Sequence, residues 1–225
     1  MFRKKNEAAM ALEWYNGYTE IGRNGEDIYH PGMIHKLARE AQRLKEQSNL
    51  GARFEGRTFG NFDPRRDQIA FTACRDYANN SNLFGAKKNS LMIFGGVGSG
   101  KTHLAAAIAN VVIDRGIPVL FGTFSEHLEK IKEEFNKTGE KKYLSMMKNT
   151  SMLVLDDIGK EKKTEWTQQI LFDVINYRYE HLLPVIITTN FDIDSLGNYL
   201  GDAVFSRLYE MSGGVQTQGK DYRKQ

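Results

Sequence analysis

The chain contains a single cysteine, Cys74. That excludes a disulfide framework and a cysteine-built zinc site, and it suits a reducing cytosol. Long apolar runs are absent as well, so no segment is expected to cross a membrane. Basic residues open the chain in "MFRKKNEAAM", but no apolar run follows them. No signal peptide is expected, and the cytoplasm is the expected location. Neither sign of charge dominates: a formal charge of +3 permits contact with nucleic acid without demanding it. Internal repeats and low-complexity tracts are also missing. What remains is a chain of 225 residues, long enough for one domain with a real core plus a short appendage.

Two regions differ in character. Residues 1–56 read as two helical pieces parted by the turn-rich "GRNGEDIYHPG". In the second piece Ile34, Leu37, Ala38, Ala41 and Leu44 recur at helical spacing. That stripe either folds back on the main domain or docks on another protein. Residues 57–225 begin with "RTFGNFDPRRDQIAF", where Asp63 and Pro64 form a good helix start and Ile69, Ala73 and Tyr77 share a face. Four apolar runs of strand length follow, at 91–94, 118–121, 152–155 and 185–188. Helical patterns separate them, carried by Leu104, Ile108 and Val112 and by Ile170, Leu171, Val174 and Ile175. "MSGGVQ" reads as a turn into a last edge strand. Strands alternating with helices predict an α/β fold, with a parallel five-stranded sheet covered on both faces. Ligands of such sheets sit at the carboxyl ends of the strands.

Three motifs fall at those ends. Gly95, Gly100, Lys101 and Thr102 satisfy G-x-x-x-x-G-K-[ST] between a predicted strand and a predicted helix. Glycines let successive amides converge on phosphate oxygens, and a helix N-terminus adds its positive dipole end. The candidate nucleotide-binding run is therefore Gly95, Gly96, Val97, Gly98, Ser99, Gly100, Lys101, Thr102 and His103. Lys101 is placed to reach the β and γ phosphates of ATP, and the Thr102 hydroxyl to coordinate Mg2+. "SMLVLDDIGK" then delivers Asp156 and Asp157 to a strand end. Asp156 fits the magnesium-binding acid of P-loop enzymes, and Asp157 is placed to polarise a water for attack. "LPVIITTN" ends on Asn190, whose amide suits the attacking water or a γ-phosphate oxygen. No arginine-rich lid of the kind small-molecule kinases carry is found. "MSGGVQ" resembles the signature of ABC ATPases, but it follows the acidic strand where that signature should precede it.

In order, "RTFGNFD", "GGVGSGKTHLAAAIAN", "LVLDDIGKEKKTEWTQQILFDVINYRYEHLLPVIITTNFD", "GDAVFSRLYEM" and "GKDYRKQ" resemble the DnaC/DnaI helicase-loader group of AAA+ ATPases, with the IstB transposon helpers as close kin. The likeness spans about three quarters of the chain. It implies that Arg207, in "SRL", is an arginine finger serving the γ phosphate of a neighbouring subunit in a head-to-tail spiral or ring. An ion pair on a helix surface is its plainer role. It also implies that Arg223, in "DYR", is a second sensor contacting nucleotide in its own subunit. Two departures stand out. Asp157 replaces the commoner glutamate, and its shorter reach points to slow turnover. The chain also stops where many AAA+ proteins continue into a helical lid.

The resemblance further implies two partners: a replicative helicase of the DnaB type, gripped by residues 1–56, and single-stranded DNA. The family contacts DNA through a helical insert and a loop after the acidic pair. Here the insert holds six Lys and five Glu between Ser125 and Lys148, so it forms no basic stripe. The loop offers Lys160, Lys162, Lys163, Thr164 and Trp166, cationic charge beside a hydroxyl and an aromatic face. Trp166 suits the core side of its helix equally well. The alternatives are a transposase helper acting on duplex DNA and a non-catalytic adaptor clamped by ATP.

Overall fold

The computed structural model describes residues 20–21, 27–28, 31–80, 83–138 and 141–218. Two short strands, β1 (Glu20–Ile21) and β2 (Asp27–Ile28), pair antiparallel. Helices α1 (Pro31–Gln47), α2 (Ala52–Glu55) and α3 (Gln68–Asn79) precede the main sheet. Then follow β3 (Ser90–Gly95), α4 (Lys101–Asp114), β4 (Val119–Thr123), α5 (Phe124–Thr138) and α6 (Lys142–Asn149). The last elements are β5 (Met152–Ile158), α7 (Glu165–Glu180), β6 (Val185–Thr189), α8 (Ile193–Leu200), α9 (Asp202–Met211) and β7 (Ser212–Thr217).

The sheet is five-stranded and parallel throughout, in the order β4-β5-β6-β3-β7. Both faces are covered, which explains why its strands read as continuous apolar runs rather than alternating ones. One core lies beneath α3 and α4, around Cys74, Leu104, Ile108 and Val112. Burial pushes the Cys74 thiol up to about 12, so it is an inert core residue. The other core lies beneath α5 to α9, around Ile170, Leu171, Val174 and Ile175. The strand carrying the glycine-rich loop therefore sits between β6 and β7, and the aspartate-bearing strand sits one place beyond β6.

Buried at the junction of α6, β5 and α7 is Arg178, fully enclosed and, among the described residues, without a carboxylate as hydrogen-bond partner. It donates instead to the carbonyls of Met147, Lys148, Thr150, Ser151 and Pro184. Burial lowers its affinity for a proton to about 9, and the five carbonyls hold the charge in place. This clamp fixes where β5 enters the sheet, and so where its far end delivers the aspartates.

Two sequence expectations are corrected. Asp63 caps only the short 3₁₀ turn Pro64–Arg66; Asp67 caps the helix proper, four residues later. The buried face of α3 is then Ala70, Phe71, Cys74 and Ala78, while Ile69 is 78% exposed. Leu44, the last member of the apolar stripe, lies in the core with Leu50, and Ser48 accepts a bond from the Phe121 amide. The domain core thus reaches back across the expected boundary at residue 56. Ile34, Leu37 and Ala38 carry side chains outside the described residues, as does Arg223.

Candidate functional site

At the carboxyl ends of β3, β5 and β6 lies a cavity of about 670 Å³. That volume falls within the range of small-molecule sites. Its floor is the loop between β3 and α4, in which Gly95, Gly98 and Gly100 hold φ of 146°, 74° and 95°. Any other residue would be strained there. Gly95 is constrained doubly: a Cβ on it would lie 2.3 Å from the Thr217 carbonyl oxygen. Thr217, at the end of β7, donates to the Phe94 carbonyl and accepts from buried Ser99 at 2.6 Å. The edge strand therefore braces the glycine-rich loop from outside.

Lys101 opens α4 and is 6% exposed. Its ammonium donates to the Gly95 and Gly96 carbonyls at 2.8 and 2.7 Å, and to Asn190 Oδ1 at 2.8 Å. Thr102 donates to both carboxylate oxygens of Asp156, at 3.0 and 3.1 Å. A second donor to Asp156 is Thr188, at 2.5 Å. Burial holds the Asp156 carboxyl above the ordinary carboxylate range; the Thr188 and Thr102 hydroxyls pull against that, and the neighbouring Asp157 charge adds to it. A buried carboxylate beside a threonine hydroxyl at a helix start is a hard-oxygen donor pair suited to Mg2+.

Adjacent residues of a regular strand point to opposite faces, yet Asp156 and Asp157 both line this cavity. The cause is a break in the β5–β6 register between Leu155 and Ile158, with Asp157 at φ 60°. A bulge of this kind re-aims a side chain, and aspartate tolerates the left-handed region better than most residues. Thr188 secures the bulge by accepting from the Asp157 amide at 2.8 Å. Asn190 completes the arrangement, donating to Asp157 Oδ1 at 3.1 Å while it accepts from Lys101. Lys101, Thr102, Asp156, Asp157 and Asn190 thus form one bonded constellation.

Other candidates are placed differently. His103 lines the cavity, but its ring donates to the Thr58 carbonyl at 2.9 Å and meets Phe62 edge-on. Asn61, Phe62 and Asp63 line the cavity beside it, as do Arg53, Arg57 and Arg66. Thr188 and the three arginines carry no local signal in the sequence, because neither a threonine in a strand nor an isolated arginine marks a cavity. Arg207 lies on α9 outside the cavity lining. Its guanidinium stacks 5.5 Å from Phe172 and 5.9 Å from Tyr179, and donates to the Ala203 carbonyl.

The five loop candidates make different contacts. Lys160 pairs with Asp157 at the cavity, and Lys163 donates to the Asn198 carbonyl at 3.1 Å. Lys162 is exposed, and Thr164 caps α7. Trp166 lines a separate cavity between α5, α6 and α7, with the Lys132 ammonium 4.8 Å above its ring. Among the described residues no group of His, Cys, Asp or Glu forms a metal cluster, and no helix is long and apolar enough to cross a membrane.

Comparison with known proteins agrees with this geometry. The family model described as "IstB-like ATP binding protein" matches residues 33–225. Phage-like element PBSX protein XkdC of Bacillus subtilis (strain 168) is 30% identical over 207 residues, covering 87% of this chain and 76% of that protein. Replicative helicase loader DnaC of Escherichia coli (strain K12) is 27% identical over 175 residues, covering 76% of this chain and 70% of that protein. The crystal structure of the DnaC helicase loader superposes with a TM-score of 0.67 at 27% identity, over 75% of this chain and 100% of the other.

Proposed function

The chain belongs to the IstB-like ATP binding protein family, and from that premise we propose that it is a magnesium-dependent ATPase that loads a replicative helicase onto single-stranded DNA. The observation that carries this reading is the bonded constellation of Lys101, Thr102, Asp156, Asp157 and Asn190 in one cavity.

In the proposed reaction the glycine-rich loop amides and the Lys101 ammonium hold the β and γ phosphates. Thr102 and Asp156 would hold Mg2+, which would supply charge neutralisation on the phosphate oxygens. Asp157 accepts a proton from a water as that water's oxygen bonds to the γ phosphorus. The bond from phosphorus to the β–γ bridging oxygen breaks, and ADP leaves with that electron pair. Asn190 fixes the water and the Asp157 carboxylate relative to each other. Aspartate reaches less far than glutamate, so slow turnover is expected.

Arg207 supports a reading in which the active assembly is head-to-tail. Within one chain it lies outside the cavity lining, so for Arg207 itself to meet a γ phosphate the phosphate must belong to a neighbouring copy. Its Nε is buried with no hydrogen-bond partner among the described residues, a cost that an intersubunit role would explain. The helicase-gripping part lies N-terminal to Leu44, because Leu44 and Leu50 are already committed to the core.

The test is ATP turnover against protein concentration for wild type and Arg207→Ala. Specific activity should rise with concentration, and the variant should lose roughly a thousandfold or more. Dilute monomers turning over ATP as fast as concentrated protein, indifferent to the arginine, would end the proposal. A second reading, a transposase helper on duplex DNA, is favoured by the description of the matching family. Capture of a DnaB-type helicase rather than a transposase by the full chain decides between them.

A further inference from the structure

The loop after β5 carries three lysines in different roles. Lys163 is tied to α8 through the Asn198 carbonyl and lies 5.3 Å from the Tyr199 ring centre, and Lys162 is exposed. Lys160 turns back and forms an ion pair with Asp157 Oδ2, although 65% of its own side chain stays in solvent. The loop backbone beneath it is fastened. The Gly159 amide donates to the Glu161 carboxylate, which also accepts from Tyr199, and a Cβ on Gly159 would lie 2.2 Å from the Phe191 ring. The Lys160 ammonium can therefore swing on its flexible stem while the loop keeps its shape.

Asp157 has both carboxylate oxygens engaged, Oδ1 by Asn190 and Oδ2 by Lys160. Each oxygen keeps a further lone pair for a water, but with the Lys160 ammonium on Oδ2 that water shares the carboxylate with a cation competing for the same charge. Asn190 is held in turn by Lys101, deep in the site, whereas Lys160 is held by nothing else the structure shows and faces solvent. Lys160 is the partner that leaves. Anions compete for such an exposed ammonium on nearly equal terms, since an exposed pair is stabilised only weakly and is screened by salt. A phosphodiester strand presents many such anions at once.

We propose that Lys160 is a positioning residue that holds Asp157 away from the attacking water, and that a phosphodiester strand at this loop draws the ammonium off and starts turnover. The inference rests on the reading of Asp157 as the group that polarises the water. It gives one side chain two competing anions, the chain's own carboxylate and an incoming phosphate, so strand binding and hydrolysis share a single charge.

The experiment uses the full chain at a concentration where it is active, with saturating ATP, with and without a single-stranded oligothymidylate. Wild type should be stimulated by the strand. Lys160→Met should raise the strand-free kcat about three- to fivefold, leave KM for ATP and the melting temperature unchanged, and abolish stimulation. Lys160→Arg keeps the charge and should restore both the low basal rate and the stimulation. A Lys160→Met protein with a basal rate at or below wild type, or with stimulation intact, overturns the proposal, as does a wild type indifferent to the strand. Asp157→Asn separates this failure from that of the underlying reading. If Asp157→Asn is inactive while Lys160→Met behaves as wild type, only the Lys160 proposal fails. If Asp157→Asn turns over ATP normally, the assignment of Asp157 fails by itself.

Discussion

Thr188→Val is nearly isosteric, yet it should disable the centre of the site. Thr188 is 1% exposed, and its hydroxyl makes two bonds at once, donating to Asp156 and accepting from the Asp157 amide. Valine leaves the Asp157 amide without an acceptor, at a cost of roughly 1–3 kcal/mol, and removes one donor from a buried carboxylate, worth roughly 1.5–3 kcal/mol. The methyl that replaces the hydroxyl returns about 0.8 kcal/mol. The net loss is about 3 kcal/mol, which for a chain of this size lowers the melting temperature by about 6–12 °C. Thr188→Ser keeps both bonds and should cost only about 1 kcal/mol.

A second readout follows from charge. Burial already holds the Asp156 carboxyl above its ordinary range, and Thr188 is the larger of the two hydroxyl contributions opposing it. Because the folded-state value is raised, this carboxyl favours the fold most at low pH, and that contribution is lost as pH rises through the raised value. Magnesium-dependent ATP binding runs the opposite way, appearing as the carboxyl ionises. Thr188→Val should move that onset to higher pH. Calorimetry and ATP titrations from the ordinary aspartate range upward measure both effects. A valine variant that melts with the serine variant, and binds ATP with the wild-type pH profile, would refute the role given to Thr188.

Acid should act through His127, which is fully buried, donates to the Val154 carbonyl, and accepts from Tyr143. Burial pushes this imidazole down to about 4, so its contribution to stability is present above the unfolded value near 6.5 and is lost as pH falls towards 4, about 3 kcal/mol in all. Urea unfolding across that window should be visibly steeper in pH for wild type than for His127→Gln; equal slopes would contradict the assignment. Arg178→Met should strand several buried carbonyls and cost at least about 3 kcal/mol, read as a drop in melting temperature. A change within about half a kcal/mol would show that those carbonyls find other donors.

Much of this was legible in the sequence because the relevant signals are local. The apolar runs became β3 to β6, and "MSGGVQ" became the edge strand β7, since a fully covered parallel sheet leaves its strands no polar face. Lys101, Thr102, Asp156, Asp157 and Asn190 converge because all lie at the same ends of three neighbouring strands. What the sequence concealed depends on distant partners. Nothing near Thr188 reveals that its hydroxyl faces Asp156, 32 residues away in sequence. The bulge at Asp157 leaves no compositional trace, and Arg178 reads as one more surface arginine on a helix. The face of α3 was misread through a local competition: Asp63 and Asp67 both cap, and only three-dimensional context shows which begins the longer helix. Leu44 joined the core rather than remaining free for docking because Ser48 and Leu50 bind that segment to β4 and its surroundings.

The most direct measurement is paired: ATP affinity and single-turnover hydrolysis for wild type and Asp157→Asn in the presence of Mg2+. The geometry predicts that the variant binds ATP about as tightly as wild type, because Lys101, Thr102 and Asp156 remain, yet cleaves it at least a hundredfold more slowly. Hydrolysis at the wild-type rate in that variant, with binding intact, would contradict the account.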